Sequence, residues 1–203
     1  KQLSYNNIMD ADGALACVKE FDEPACVVVK HANPCGVAVG DNLLNVYTRA
    51  FSADSLSAFG GIIAFNRTCT RDVAEAISKV FVEIVLAPSF EPEALDIFKK
   101  KKNLRVLGIG NFGKRSPKLE VRNIDGGLLI QDSDLKTLTL KHLNAVTKRK
   151  LSDQDIKTAL FTWKVLRHAK SNGILIAKDS TTVGLGAGQV SRVDAVHMAL
   201  RKG

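Results

Sequence analysis

The chain has 203 residues, 45% of them hydrophobic, and a mean hydropathy near zero; that is ample for a packed core, yet no apolar run reaches the roughly 18 residues that would span a membrane. Residues Lys1 to Tyr5 form no apolar signal segment, and the four cysteines at 17, 26, 35 and 69 include no Cys-x-x-Cys pair, which speaks against a secreted disulfide scaffold and for reduced thiols in the cytoplasm. The net charge of +8 is uneven, −6 over residues 1–98 and +14 over 99–203; a basic half suggests nucleic acid, but few aromatics accompany it for base stacking, so a solvated face or one that attracts small anions is favoured.

Asp10 is expected to cap a helix running to about Phe21, with Leu15 and Val18 inward. The apolar run from Ala25 to Lys30 is a first strand. Asp41 opens a helix in which Leu43, Val46, Tyr47, Ala50 and Phe51 share a face. Gly60 to Phe65 is a second strand, Thr70 to Val80 a helix, and Val82 to Ala87 a third strand stopped at Pro88. A short helix from Pro92 to Lys102 and a fourth strand from Leu104 to Leu107 follow. Strands alternating with helices predict a parallel or mostly parallel α/β sheet. A less regular connector holds Gly108, Gly110, Gly113 and Pro117, and Gly126 to Gln131 is expected to be a strand.

The pattern restarts at Ser152, which forms a capping-box pair with Asp155. Ile156, Leu160, Trp163 and Leu166 then form a stripe expected in the core. Gly173 to Lys178 and Thr181 to Leu185 are strands, and Ser191 with Asp194 caps a last helix through Leu200. Repetition of the helix–strand order divides the chain into a first α/β lobe over 1–115, a connector over 116–150, and the start of a second lobe over 151–203, cut short at Gly203. The chain begins without Met, so a fragment of a longer protein is expected.

Chemistry concentrates in Lys30-His31-Ala32-Asn33-Pro34-Cys35-Gly36. A fixed cation and a base that exchanges protons near neutral pH stand where a buried strand ends, the place from which rigid scaffolds present functional loops. A zinc deaminase would need His-x-Glu and Pro-Cys-x-x-Cys; Pro34-Cys35 is followed by Ala38 at the second cysteine position, so Cys35 reads as a bystander thiol. Ser57-Ala58-Phe59-Gly60-Gly61 could expose backbone N–H groups to a ligand or form a tight turn into a strand. Gly184-Leu185-Gly186-Ala187-Gly188 lacks the third glycine of a dinucleotide loop, where Gln189 stands. It admits two readings: close helix–strand packing, or a ligand approaching a helix start near Ser191 and Arg192. His142, His168 and His197 read as surface or packing histidines, and Lys99 to Lys102 as a solvated helix end.

These segments, with Ile62 to Arg67, Lys170-Ser171-Asn172 and Gln189 to Val193, stand in the order and at the spacing seen in one family. The chain closely resembles the transformylase part of the bifunctional purine-biosynthesis enzymes, the AICAR transformylase/IMP cyclohydrolase family of bacterial type. The resemblance runs from about Leu3 to the last residues. It implies a three-layer αβα fold of two cytidine-deaminase-like lobes, the second truncated here. It implies transfer of a formyl group from 10-formyltetrahydrofolate to the 5-amino group of aminoimidazole carboxamide ribonucleotide (AICAR), with no metal in the chemistry. By position, His31 is implied as general base, Lys30 as the cation that stabilises the formyl oxygen or delivers a proton to the leaving folate nitrogen, and Asn172 as the group that orients the reactants. Gly60 and Glu83 match nucleotide contacts; Arg192 and Val193 match positions near the folate. The family implies a cytoplasmic homodimer with shared sites, and no nucleic-acid or membrane partner. The cyclohydrolase domain, an upstream Arg-Tyr segment and site segments beyond Gly203 are expected to be missing. The alternative is therefore a catalytically silent unit that only folds, dimerises or binds a ligand.

Overall fold

The structure is a computed structural model that describes residues 2–113 and 116–203. Helix α1 (Tyr5–Val18) begins earlier than expected. Ser4, not Asp10, is its N-cap: Asn7 N–H donates to Ser4 Oγ and Ser4 N–H to Asn7 Oδ1, both at 3.2 Å. This is a capping box with Asn in the place of the usual Glu or Gln, so Asp10 lies inside the helix.

Strand β1 (Ala25–Lys30) turns directly into β2 (Asn33–Val39), a strand that the sequence pattern did not reveal. Pro34 and Gly36 disguise it as loop. Pro34 is accommodated because the register between β1 and β2 shifts at Val28/Val29, and such a bulge tolerates a residue without an N–H. Gly36 is needed because α2 (Leu43–Ser52) crosses here: a Cβ on Gly36 would stand 1.8 Å from Ala50 O.

The short helix α3 (Ser55–Ala58), then β3 (Ile62–Phe65), α4 (Arg71–Ser78), β4 (Ile84–Ala87), α5 (Pro92–Lys99) and β5 (Arg105–Gly108) complete the first half. The connector after β5 includes residues 114 and 115, which lie outside the described residues. It leads to β6 (Leu119–Ile124) and β7 (Gly127–Asp132), a separate two-stranded antiparallel hairpin whose every residue is exposed. Then come α6 (Asp153–Leu166), β8 (Ile174–Lys178), β9 (Thr181–Gly186) and α7 (Arg192–Lys202). The capping box of Ser152 and Asp155 is present, and Ser191 caps α7.

The main sheet has seven strands in the order β5-β4-β3-β1-β2-β9-β8. The expectation of a mostly parallel sheet is corrected: only β3, β4 and β5 run parallel, and every other pairing is antiparallel. The reason is local. The β1–β2 and β8–β9 pairs are hairpins that reverse through tight turns, whereas the parallel strands are joined through α4 and α5. The segment from residue 151 onward places β9 beside β2, with Ala38 opposite Thr181, so β8 and β9 extend the sheet of the first half.

The fold is α/β, with three layers. Cys26, Val28, Ile63, Phe65 and Val85 face α2, α4 and α5 through Val46, Val73, Ile77 and Phe98. Their neighbours Val27, Val29, Ile62 and Ile84 face α1 and α6 through Ala14, Val18, Phe161 and Val165. Burial on both faces is why these strands read as unbroken apolar runs, and each such side chain removed from water contributes about 1.5–3 kcal/mol. The stripe expected on α6 is rotated: Phe161 and Val165 are its buried residues, and Trp163 is 53% exposed. Gly184 and Gly186 seat α7 on β9, since a Cβ on either would come within 2.0 Å of Ala199 O or Ala195 O. Helix–strand contact therefore accounts for two glycines of that segment. Among the described residues no helix is long and apolar enough to cross a membrane.

Candidate active site

The β1–β2 turn presents His31 to solvent. His31 and Ala32 have φ of 53° and 59°, the left-handed pair that two-residue hairpin turns use and usually fill with Asn-Gly. For residues with a Cβ this conformation costs about 1–2 kcal/mol each. Asp10 offsets it from α1: Ala32 N–H donates to Asp10 Oδ1 at 2.7 Å and His31 N–H to Oδ2 at 3.3 Å. Asn33 closes the turn, its Nδ2 donating to His31 O at 3.1 Å.

Lys30 is anchored. Its Nζ donates to the carbonyl oxygens of Gly60 (2.9 Å) and Phe59 (3.2 Å), which uses two of its three N–H bonds and leaves one for a ligand. Gly60 is required there twice over. Its φ is +65°, and a Cβ would meet Lys30 Nζ and the Phe81 ring, each at 3.1 Å. Glu83 sits one step farther along β4's approach: its N–H donates to Gly61 O, and its Oε2 accepts from Asn7 Nδ2 at 2.8 Å and lies 3.7 Å from Arg105 Nη1.

A cavity of about 340 Å3 opens beside the turn, bordered by Lys30, His31, Cys35, Leu185, Met198 and Lys202. Of the residues expected at the site, Lys30 and His31 line it. Asn172 does not, but it is tied to its wall: its Nδ2 donates to Gln189 O and Val190 O, both at 3.0 Å, and Gln189 borders the cavity. Asn33 Oδ1 accepts the Lys170 N–H at 3.1 Å, so the 170–172 segment is fixed to the Lys30–His31 turn. Gly60 is not among the residues that border the cavity, but its carbonyl holds Lys30, which is. Glu83 stands apart from it, and Arg192 and Val193 lie exposed in the first turn of α7. The Asn66 and Arg67 of the same motif brace the scaffold instead: buried Asn66 accepts the Ala25 N–H and donates to Phe21 O and Glu23 O.

Lys202 and Asp54 are site neighbours that the sequence pattern did not single out. Lys202 Nζ donates to Asp54 Oδ2 (2.7 Å) and Ser57 Oγ (3.2 Å), joining α7 to the loop that supplies Lys30 with its two carbonyls. The only signals in the sequence were the i, i+4 spacing of Met198 and Lys202 and the Asp54–Ser57 cap spacing, since Asp54 Oδ1 accepts the Ser57 N–H at 3.0 Å. Burial alone would raise the Asp54 carboxyl, but the hydrogen bonds from Lys202 and Ser57 outweigh it and hold the carboxyl below its usual range. The fold thus favours the ionised form. Its contribution is fully present above the ordinary carboxylate pKa of about 3.9 and is lost as pH falls through the lower folded value. Lys202→Met is expected to cost about 1 kcal/mol at pH 7, the lysine of the pair being 34% exposed and the aspartate 12%. The gap in urea midpoint between the two proteins should close as pH is lowered from 5 towards 2; a constant gap would refute the pairing.

Cys35, read from the sequence as a structural or bystander thiol, is half-buried at the cavity. Burial, and then the nearby Asp54 carboxylate, push its pKa up to about 12, so it stays protonated and donates to Val28 O at 3.5 Å. Among the described residues no three His, Cys, Asp or Glu side chains converge as metal ligands would. His168 is a packing histidine, its Nε2 3.1 Å from Glu20 Oε1, and Arg167 shares that carboxylate.

The arrangement offers an exposed imidazole, an anchored ammonium with one donor to spare, and a partly apolar cavity beside them, which is equipment for moving a proton while charge develops on an oxygen. A comparison with known families gives the context: the family model described as the AICARFT/IMPCHase bienzyme matches residues 1–202. With essentially its whole length matched, the chain belongs to the AICARFT/IMPCHase family of bifunctional purine-biosynthesis enzymes.

Proposed function

We propose that this chain carries the formyltransferase chemistry of its family, moving a formyl group from 10-formyltetrahydrofolate to the 5-amino group of AICAR, in the cytoplasm. The observation that carries the proposal is the Lys30–His31 turn: a base held in solvent and, next to it, an ammonium locked to Gly60 O and Phe59 O. An amine conjugated into an imidazole carboxamide is a weak nucleophile, so the reaction needs a base as the new N–C bond forms. His31 accepts that proton. Lys30 directs its remaining N–H at the formyl oxygen, where negative charge accumulates. As the C–N10 bond breaks, a proton reaches the folate nitrogen from His31 or Lys30. The folate supplies an activated formyl group; the protein supplies orientation and electrostatics. The cavity fits such a cosubstrate in kind, with Leu185 and Met198 as apolar wall and Lys30 and Lys202 as cations for an anionic molecule.

A homodimer belongs to the same proposal. The β6–β7 hairpin is exposed on both faces, including Leu119, Val121 and Ile130, and an isolated two-stranded ribbon is marginal in water, so a second copy is its natural cover.

The test is formyl transfer by the chain itself with AICAR and 10-formyltetrahydrofolate, following tetrahydrofolate release by absorbance. Turnover that falls about 100-fold or more in Lys30→Met would support the reading, loss of one oxyanion donor being worth that much. Absence of turnover in a folded protein that still binds AICAR would replace it with a silent binding unit.

A further inference from the structure

Asp10 lies inside α1, faces the β1–β2 turn, and spends both carboxylate oxygens on consecutive backbone N–H groups, those of His31 and Ala32. In a turn of this type these N–H groups point away from the hairpin and would otherwise go to water. Neither turn residue is glycine, and both hold positive φ, so the backbone does not prefer this shape by itself. The other ties of the turn act on its acceptors and flanks: Asn33 holds His31 O, and Lys30 holds the 59–60 carbonyls. Asp10 is the tie that sets where the His31 backbone stands relative to the sheet and to the cavity. A charged acceptor shared by two N–H donors is the stronger kind of hydrogen bond.

We propose that Asp10 is a positioning residue for His31: its carboxylate holds the turn in the left-handed conformation that carries the imidazole to the cavity beside Lys30. The inference rests on the formyltransferase reading for its kinetic part alone. Because Asp10 acts through the backbone, its removal should leave nucleotide affinity nearly intact and slow the chemical step, since a misplacement of about 1 Å can cost 100-fold in rate.

The experiment compares the unmodified chain with Asp10→Ala, Asp10→Asn and the double variant Asp10→Ala/Ala32→Gly. Steady-state kinetics and amide hydrogen exchange by NMR are measured on each. Asp10→Ala is expected to lower kcat by 10- to 100-fold with the KM for AICAR within two-fold, and to speed exchange at the Ala32 amide at least ten-fold while the amides of Val27 and Val28 keep their protection. Asp10→Asn, which keeps one acceptor oxygen, should fall between. Glycine at 32 adopts positive φ at no steric cost, so the double variant should regain several-fold in kcat over Asp10→Ala, a rescue that a general loss of stability would not allow. Unchanged kcat, unchanged Ala32 exchange, or equal loss of protection at Val27 and Val28 would each overturn the inference. If the unmodified chain transfers no formyl group, the functional reading fails instead, and the exchange data alone decide whether Asp10 holds the turn.

Discussion

Replacing His31 by alanine should lower formyl transfer by about 10²- to 10⁴-fold, the usual worth of a positioned general base, while AICAR still binds. The expectation follows from where the side chain stands. His31 is exposed at the tip of a hairpin, and its backbone, not its ring, makes the contacts that shape the turn. Truncation at Cβ therefore leaves Asp10, Ala32 and Asn33 with their partners, and the loss is confined to proton transfer. Single-turnover rates with saturating folate, set beside AICAR affinity from calorimetry, separate the two. A rate within three-fold of the unmodified chain would remove His31 from the mechanism. An equal fall in affinity would reassign it to binding.

The largest structural effect is expected from Gly36→Ala. The new methyl group would lie 1.8 Å from Ala50 O and 2.9 Å from Ala50 C, and these are backbone atoms in the last turn of α2, with no rotamer to yield. Either α2 lifts from the sheet, uncovering Val46 and Ala50, or β2 bends away from β1. Overpacking of this severity costs about 3 kcal/mol or more, against a total stability of about 5–15 kcal/mol for a typical domain. The urea midpoint, or failure to recover soluble protein, reads the effect. Gly108→Ala is the control, because nothing lies within 4 Å of the site of its Cβ, and its midpoint should match the parent. A Gly36→Ala midpoint equal to the parent's would mean that the helix–sheet contact is far softer than a 1.8 Å approach implies.

The contrast between these glycines marks how far the sequence could be read. Strands buried on both faces announced themselves, as β1, β3 and β4 did through runs of Val, Ile and Ala. Caps with Ser and Asp were legible at Ser152 and Ser191. What failed was what depends on partners distant in the chain. β2 is a strand because β1 and β9 flank it, although Pro34 and Gly36 argue locally for a loop. Ser4 caps α1 with an Asn partner, so the stronger-looking Asp10 drew the helix start to itself. Trp163 fits a helical stripe, yet the sheet meets α6 on the face of Phe161 and Val165. At the site, Lys30 and His31 were legible as chemistry at a strand end. The anchors of Lys30 at residues 59 and 60, and the reach of Lys202 to Asp54, are tertiary facts of which helix spacing and the Asp54 cap give only a faint sign.

One pairing also orders the events by which this molecule forms. β1 and β2 meet through a two-residue turn, but β2 and β9 join residues as far apart as Val37 and Thr182, 145 positions along the chain. Closing so long a loop is entropically dear and slow, whereas a hairpin closes in microseconds. During synthesis Lys30 and His31 take their places early, on a sheet whose far side is still open. The cavity wall that carries Leu185, Gln189 and Lys202 is made more than 140 residues after the turn. A ribosome stalled before residue 174 would thus display Lys30 and His31 without the pocket beside them, and docking of β8–β9 is the step that encloses the cavity.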